Sequence, residues 1–400
     1  MKIAIATPIL YSPTSPFNHL FKDIIGGLLD DGNEIIRLVA VENKNETEYT
    51  FGYVGSNIEY KLFKRKNSSH SNIISRYIRD TITNIREAIA ILKLENVDVL
   101  FEDVSYSSFW TVKAAKMKKI KVVAMLQDVW PDNAVQSGLI SEQSFLYKYF
   151  EMWQKSVYKN ADRIICISDD MKNFISSKNV DEKKIDVIYN WGYSDEIVDI
   201  PWEENKFVKK YNLDRDKFYA IYAGNIGKMQ NVGIIVETAK KLQNRRDIHF
   251  LIVGDGVKKK EIEKMAEKQK NITLLPMQPS ELALHIYSAA GVNLIPLVSG
   301  GTKTALPSKT GVVLSCGRPA IFTFGEASNF SSLLAKYNAG KSVEANSANQ
   351  LAESIIETVE NIDEYVKDDT YELFKKLFSK RRNILKYVEV VNKALEENKL

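Results

Sequence analysis

Residues 300–319, GGTKTALPSKTGVVLSCGRP, set two glycines, two lysines, a proline and several hydroxyl side chains ahead of an apolar run. A core helix is poorly served by that composition. A loop that receives an anion at the start of a helix is well served by it. Two further segments repeat the theme. In YAGNIGKMQN, Gly224 and Gly227 relieve the backbone after a strand, and Lys228 stands just before a helix. In IVGDGVKKK, Gly254, Asp255 and Gly256 precede Lys258. Each turn alone is an ordinary strand-to-helix connection. Together they offer glycine, hydroxyl and cation from three loops, a chemistry that suits a nucleotide diphosphate. If the diphosphate is a leaving group, fixed cations and backbone dipoles must take up its growing charge. No Asp-x-Asp signature stands in a suitable loop, so neither a metal nor a cofactor is expected.

These loops need strands to carry them. KIAIAT (2–7), EIIRLVAV (34–41), VDVLFED (97–103), KVVAML (121–126), RIICIS (163–168) and KIDVIYN (184–190) read as strands. Long amphipathic stretches lie between them, among them NIISRYIRDTITNIREAIAILKLE and FLYKYFEMWQKSVYKNA. The segment FNHLFKDIIGGLLDDG has helical spacing and ends at Gly32, a C-terminal cap. The alternation restarts with FYAIYAGN (218–225), IHFLIVGDG (248–256), ITLLPM (272–277), GVNLIPL (291–297) and AIFTF (320–324). Alternating strands and helices predict parallel, doubly wound sheets. The expected fold is α/β, with two Rossmann-like domains facing across a cleft. Residues 1–194 form the first domain and 195–378 the second. Residues 379–400 form a C-terminal helix packing back toward the first. Such sheets bind ligands beyond the carboxyl ends of their strands.

The 400 residues, 44% hydrophobic and 26% charged, suffice for two ordinary globular cores. A formal charge of +4 is too small to imply nucleic acid. The excess sits in the N-terminal half, in Lys61, Lys64, Arg65, Lys66, Arg76, Arg79, Arg86 and Lys93, and again in KAAKMKKIK. It reads either as a solvated helix face or as attraction to anionic lipid, at about 1 kcal/mol per well-placed cation. Cys166 and Cys316 form no disulfide framework or zinc spacing, so a reducing cytoplasm is the expected compartment. No segment reaches membrane-spanning length, leaving a soluble protein or one peripheral on the inner face of the plasma membrane.

The second half resembles the GT-B glycosyltransferases of family 4. NADRIICISDDMKNFI, KKIDVIYNWGYSDEI, YAGNIGKMQN, FLIVGDGVKKKEIE, ITLLPMQPSELALHIYSAAGVNLIPL and LPSKTGVVLSCGRPAIF follow that family's order and spacing. The Asn-Trp pair, LQDVWPDNAVQSG and the Pro-Ser-Lys triplet resemble a bacterial subgroup that attaches N-acetylated amino sugars during surface polysaccharide assembly. The resemblance implies a UDP-sugar donor held mainly by the second domain and a lipid-linked or saccharide acceptor held by the first. It also implies retention at the anomeric carbon and no metal. Carried over, Lys228, Lys309 and Ser308 meet the donor diphosphate. Gly224, Asn225, Gly227, Gly254, Asp255, Gly256, Thr304 and Pro307 shape the donor site. Met277 and Gln278 lie where the family holds the base, and Glu326 where a carboxylate takes the ribose hydroxyls; a solvated loop carboxylate is the other reading of Glu326. Asp128 either orients acceptor or sugar, or is a turn residue. Ser15, Pro16 and Trp130 are the acceptor-side candidates.

The chain departs from the family in three places. Two glutamates usual in the Pro-Ser-Lys region fall at Thr304 and Val312, neither acidic. The first loop reads YSPTSPFNH where a Gly-Gly is usual, and Pro13 and Pro16 stiffen it. Gln230 and Asn231 stand near a usual Lys-Gly. These motivate a second reading, a non-catalytic partner that binds saccharide. A UDP-sugar epimerase is a third, although none of His19, His70, His249 and His285 lies in the nucleotide loops. The sequence leaves the sugar, the linkage and homo-oligomer formation open.

Overall fold

The computed structural model describes residues 1–7, 16–41, 53, 55–64, 73–192, 195–325 and 327–396. The chain divides into two compact units. The first holds Met1–Val135, Ile140–Tyr189 and Arg381–Leu400; the second holds Gln136–Leu139 and Asn190–Lys380.

Among the described residues the first unit has a seven-stranded sheet. Its strands are β1 (Lys2–Thr7), β2 (Glu34–Val41), β3 (Ile58–Lys64), β4 (Val99–Asp103), β5 (Lys121–Leu126), β6 (Arg163–Cys166) and β7 (Ile185–Val187). The order is β3-β2-β1-β4-β5-β6-β7, and the paired neighbours are parallel. Strands covered on both faces read as continuous apolar runs, which is why KIAIAT and KVVAML carry almost no polar residue inside. The helix Pro16–Asp30 stops as its sequence requires, with Gly32 at φ +78° beyond its last turn.

One helix of this unit is turned against expectation. The inward face of Ile73–Lys93 carries Asp80, Thr83, Asn84 and Glu87, all buried. Glu102, at the end of β4, is fully buried as well. Burial, with Glu87 as a like-charged neighbour, holds the Glu102 carboxyl well above the ordinary carboxylate range. The C-terminal helix Lys380–Glu396 completes this core. Tyr387 packs 6.0 Å from Phe101, and the Asn383 amide donates to the Tyr189 carbonyl at 2.8 Å.

The second unit repeats the plan with β8 (Phe218–Asn225), β9 (Ile248–Asp255), β10 (Ile272–Leu275), β11 (Val292–Ile295), β12 (Ala320–Phe322) and β13 (Lys341–Ser342). The order β10-β9-β8-β11-β12-β13 is parallel and reverses direction between β8 and β11. That reversal is the switch point where doubly wound sheets open a crevice. Both sheets thus bear out the expected doubly wound α/β architecture. Tyr222 and Ile252 from the strands, with Ile235 and Ile355 from flanking helices, belong to one apolar core that fixes the strand ends.

Candidate functional site

The glycine loops of the second unit meet at the carboxyl ends of β8 and β9. The register pairs Gly224 with Gly254 and Asn225 with Asp255. The two strands come so close that a Cβ on Gly254 would stand 2.0 Å from the Gly224 carbonyl oxygen. Gly256, at φ +153°, is equally confined, because its Cβ would meet the Ile226 carbonyl at 2.5 Å. Glycine is required here by contact and by backbone angle together.

Lys309 reaches this point from the third loop. It precedes the short helix Thr310–Ser315, and its chain runs inward. The ammonium donates to the Ala223 carbonyl at 2.7 Å and lies 3.8 Å from the centroid of the Tyr222 ring. A Cβ on Gly224 would sit 2.7 Å from the same nitrogen. Ring, carbonyl and the bare face of Gly224 therefore make one seat for a cation. Burial pushes Lys309 down to about 7 although the residue as a whole is only half-buried. The Tyr222 hydroxyl donates to the Asn225 carbonyl at 2.5 Å, which braces the first loop. The sequence reading missed Tyr222, whose only signal is its place two residues before Gly224 in FYAIYAGN.

Lys228 goes elsewhere. It is exposed and lines an open pocket of about 430 Å³ with Gly227, Asn231, Glu237, Lys258 and Glu261 among the walls. Lys258 there is engaged by Glu261 at 2.5 Å. Asn231 is tied to the Ala345 carbonyl at 2.7 Å, and Asn225 and Gln230 converge over Gly227. Lys309 does not line that pocket, so the two lysines expected on one diphosphate occupy different surroundings.

A family model for glycosyltransferase family 4 matches residues 56–191, and one for glycosyl transferases group 1 matches 203–375. The chain belongs to the GT-B glycosyltransferases of family 4. Among relatives, "Probable glycosyltransferase WbjE" of Pseudomonas aeruginosa is 23% identical over 285 residues, 70% of each chain. WcaI of Escherichia coli (strain K12), a glycosyl transferase named for colanic acid biosynthesis, is 25% identical over 214 residues, 52% of each chain. Among solved structures, Anabaena HepE in complex with UDP and glucose aligns with a TM-score of 0.73 at 11% identity. That alignment spans 98% of this chain and 99% of HepE.

The other residues expected to serve this glycosyltransferase are distributed as follows. Asp255 is exposed and caps its own turn, accepting from the Gly256 N–H at 2.8 Å. Met277 is exposed, whereas the Gln278 side chain is held by Lys210 at 2.8 Å and by the Pro276 carbonyl at 2.8 Å. Ser308 is exposed beside the half-buried Pro307. Thr304 is fully buried, and its hydroxyl is shared between Gln136 and the Gly301 carbonyl. It is a packing residue of the loop rather than a group presented to a ligand. Val312 is buried too. Glu326 and Ser15 lie outside the described residues, and Pro16 opens the first helix.

In the first unit, Asp128 follows β5 and is exposed, yet crowding by surrounding atoms raises its carboxyl to about 6. Trp130 turns toward the interior, with ring centroids 5.6 Å from Tyr106 and 5.5 Å from Phe150. Its packing makes it a wall of an aromatic cluster before it is a contact for any acceptor. Among the described residues no group of three His, Cys, Asp or Glu side chains is placed to hold a metal ion.

Proposed function

We propose that the chain transfers an N-acetylated amino sugar from a UDP donor to a lipid-linked saccharide during surface polysaccharide assembly, at the cytoplasmic face of the membrane. The observation that carries the donor half is the Lys309 ammonium seated against Ala223 and Gly224 at the switch point of the second sheet. A diphosphate arriving there meets a desolvated cation, and charge is stabilised most strongly out of water. The name of WcaI, which specifies colanic acid biosynthesis, supports the polymer class, and the UDP bound in HepE supports the nucleotide.

In this reading the bond from the sugar's anomeric carbon to the diphosphate oxygen breaks, and its electron pair leaves with the UDP. The acceptor hydroxyl attacks the same face, and its proton passes to the departing phosphate oxygen. Configuration is retained, and Lys309, not a metal, balances the leaving charge. In this reading Asp128, exposed just beyond the carboxyl end of β5, orients the acceptor hydroxyl.

The test is incubation with UDP-sugars and a lipid-linked saccharide, followed by mass spectrometry of the product and NMR of the new linkage. Retention and the mass increment of an N-acetylated amino-sugar residue support the proposal; an inverted linkage sinks the mechanism. A second reading, a non-catalytic saccharide-binding partner, is favoured by one observation. Thr304 and Val312, at the positions where the family carries glutamates, are buried and uncharged. Absence of UDP binding at about 1 mM nucleotide would decide for it.

A further inference from the structure

The loop that leads from β11 to Lys309 is held by a side chain from far away in the sequence. Gly300, at φ +71°, starts a single 3-10 turn, Gly301–Lys303, and Thr304 ends it. The Gln136 side chain reaches both ends of that turn. Its nitrogen donates to the Gly300 carbonyl at 2.9 Å, and its oxygen accepts from the Thr304 hydroxyl. A backbone carbonyl can only accept, so the amide must face Gly300 with its NH2 and leave its oxygen for the hydroxyl. Glutamine suits this place because one planar group gives and takes at once. A glutamate would set oxygen against oxygen at Gly300.

Gln136 enters from a short excursion of the chain. Gln136–Leu139 is counted with the second unit, although the residues on either side belong to the first. Gly138, at φ +67°, turns the excursion, and the Ile140 N–H closes it on the Ala134 carbonyl at 3.4 Å. The turn that Gln136 clasps joins two of the donor loops. On one side the Val298 N–H donates to the Met229 carbonyl at 2.9 Å, which ties the turn to the loop of Lys228. On the other, Pro307, Ser308 and Lys309 follow directly after Leu306. Where the family carries a glutamate, this chain therefore has one half of a clasp. Thr304 is fully buried and spends its hydroxyl on Gln136 and Gly301.

We propose, resting on the donor reading, that Gln136 is a positioning residue for the donor site. It holds Gly300 to Thr304 and so sets the path from Met229 to Lys309 on which a nucleotide diphosphate is received. Gln136 acts on the donor through the loop, not by contact.

The full-length variants Q136A, Q136E, T304V, T304S and Q136A/T304V test this. UDP affinity, KM and kcat for the donor, and the thermal midpoint are measured for each. Hydrogen exchange is followed at the amides of Gly301, Lys303, Thr304 and Ala305, which are all hydrogen-bonded to carbonyls of this loop. Q136A is expected to weaken UDP binding and raise KM roughly tenfold, with kcat changed less than about twofold. The four amides should exchange about tenfold faster, while the midpoint falls by no more than about 4 °C. Q136E should behave as Q136A does, because a carboxylate has no hydrogen for Gly300. T304V should weaken UDP about threefold, and T304S should restore it. The double variant should bind no more weakly than Q136A, since both changes open one clasp. Unchanged UDP affinity in Q136A, unchanged exchange at the turn, or additive losses in the double variant overturns the proposal. If Q136A does not fold, equal UDP affinity in T304V and T304S overturns it instead. A parent chain that binds no UDP removes the donor reading alone. Exchange then decides the clasp: acceleration in Q136A supports it and parental rates overturn it.

Discussion

In the second unit a lysine turns inward, and in the first a row of isoleucines turns outward. Both placements run against solvation. The Lys309 ammonium gives up water for one carbonyl and a ring face. Each of Ile78, Ile82 and Ile89, left about half exposed, forgoes about 1 kcal/mol that full burial would supply. The difference lies in where the missing counterpart must come from. An inward cation is completed by a ligand small enough to enter the unit. For an outward apolar stripe the counterpart lies outside the unit altogether.

The comparison can be broken most severely at Lys309. K309A is expected to lower turnover at least about 100-fold, measured as UDP release from the donor. Near-normal turnover would show that the inward cation is structural. G224A should follow, with UDP affinity reduced about tenfold, because the added methyl enters the Lys309 seat at φ +141°. Backbone strain of about 1–3 kcal/mol should also appear in its unfolding midpoint.

The pH dependence of UDP binding sharpens the same half. Burial lowers Lys309 from 10.5 to about 7, so its charge is present below that value and lost as pH rises through it. A bound diphosphate restores the charge. Calorimetry in buffers of different ionisation heat should then show proton uptake near pH 8, and affinity falling with rising pH. K309A should abolish both. The ligand-free chain should gain stability between about 7 and 10.5, where the unfolded lysine still binds a proton that the folded one has released. K228A is the smallest effect. An exposed cation is worth at most about 1 kcal/mol, so UDP affinity should fall less than roughly fivefold.

Much of the fold was legible because parallel strands write themselves as unbroken apolar runs, and β1, β2, β5 and β8 stand where those runs predict. β3 was not, because IEYKLFK alternates and lies at a sheet edge, half-exposed along its length. β13 is two residues long and leaves no pattern. In the candidate site the glycine loops could be found by composition. The seat of Lys309 could not, since its partner is a backbone carbonyl 86 positions away that no residue type announces. Thr304 enters the donor site by resemblance alone, and only burial shows that its hydroxyl is already used. The Ile78–Leu92 spacing was visible, but its direction was not. A stripe of isoleucines reads as a core face until Asp80 and Glu87 are seen inside.

The division of the chain has a consequence for biosynthesis. The helix Lys380–Glu396 belongs to the first unit, where Tyr387 covers Phe101 and Asn383 holds the Tyr189 carbonyl. Residues 190–380 leave the ribosome before it does. The second unit can therefore close while the first still lacks its final helix, inverting the usual order of co-translational folding. A nascent chain arrested before residue 380 would carry a finished donor unit behind an open first sheet, the stage at which a chaperone has most to protect.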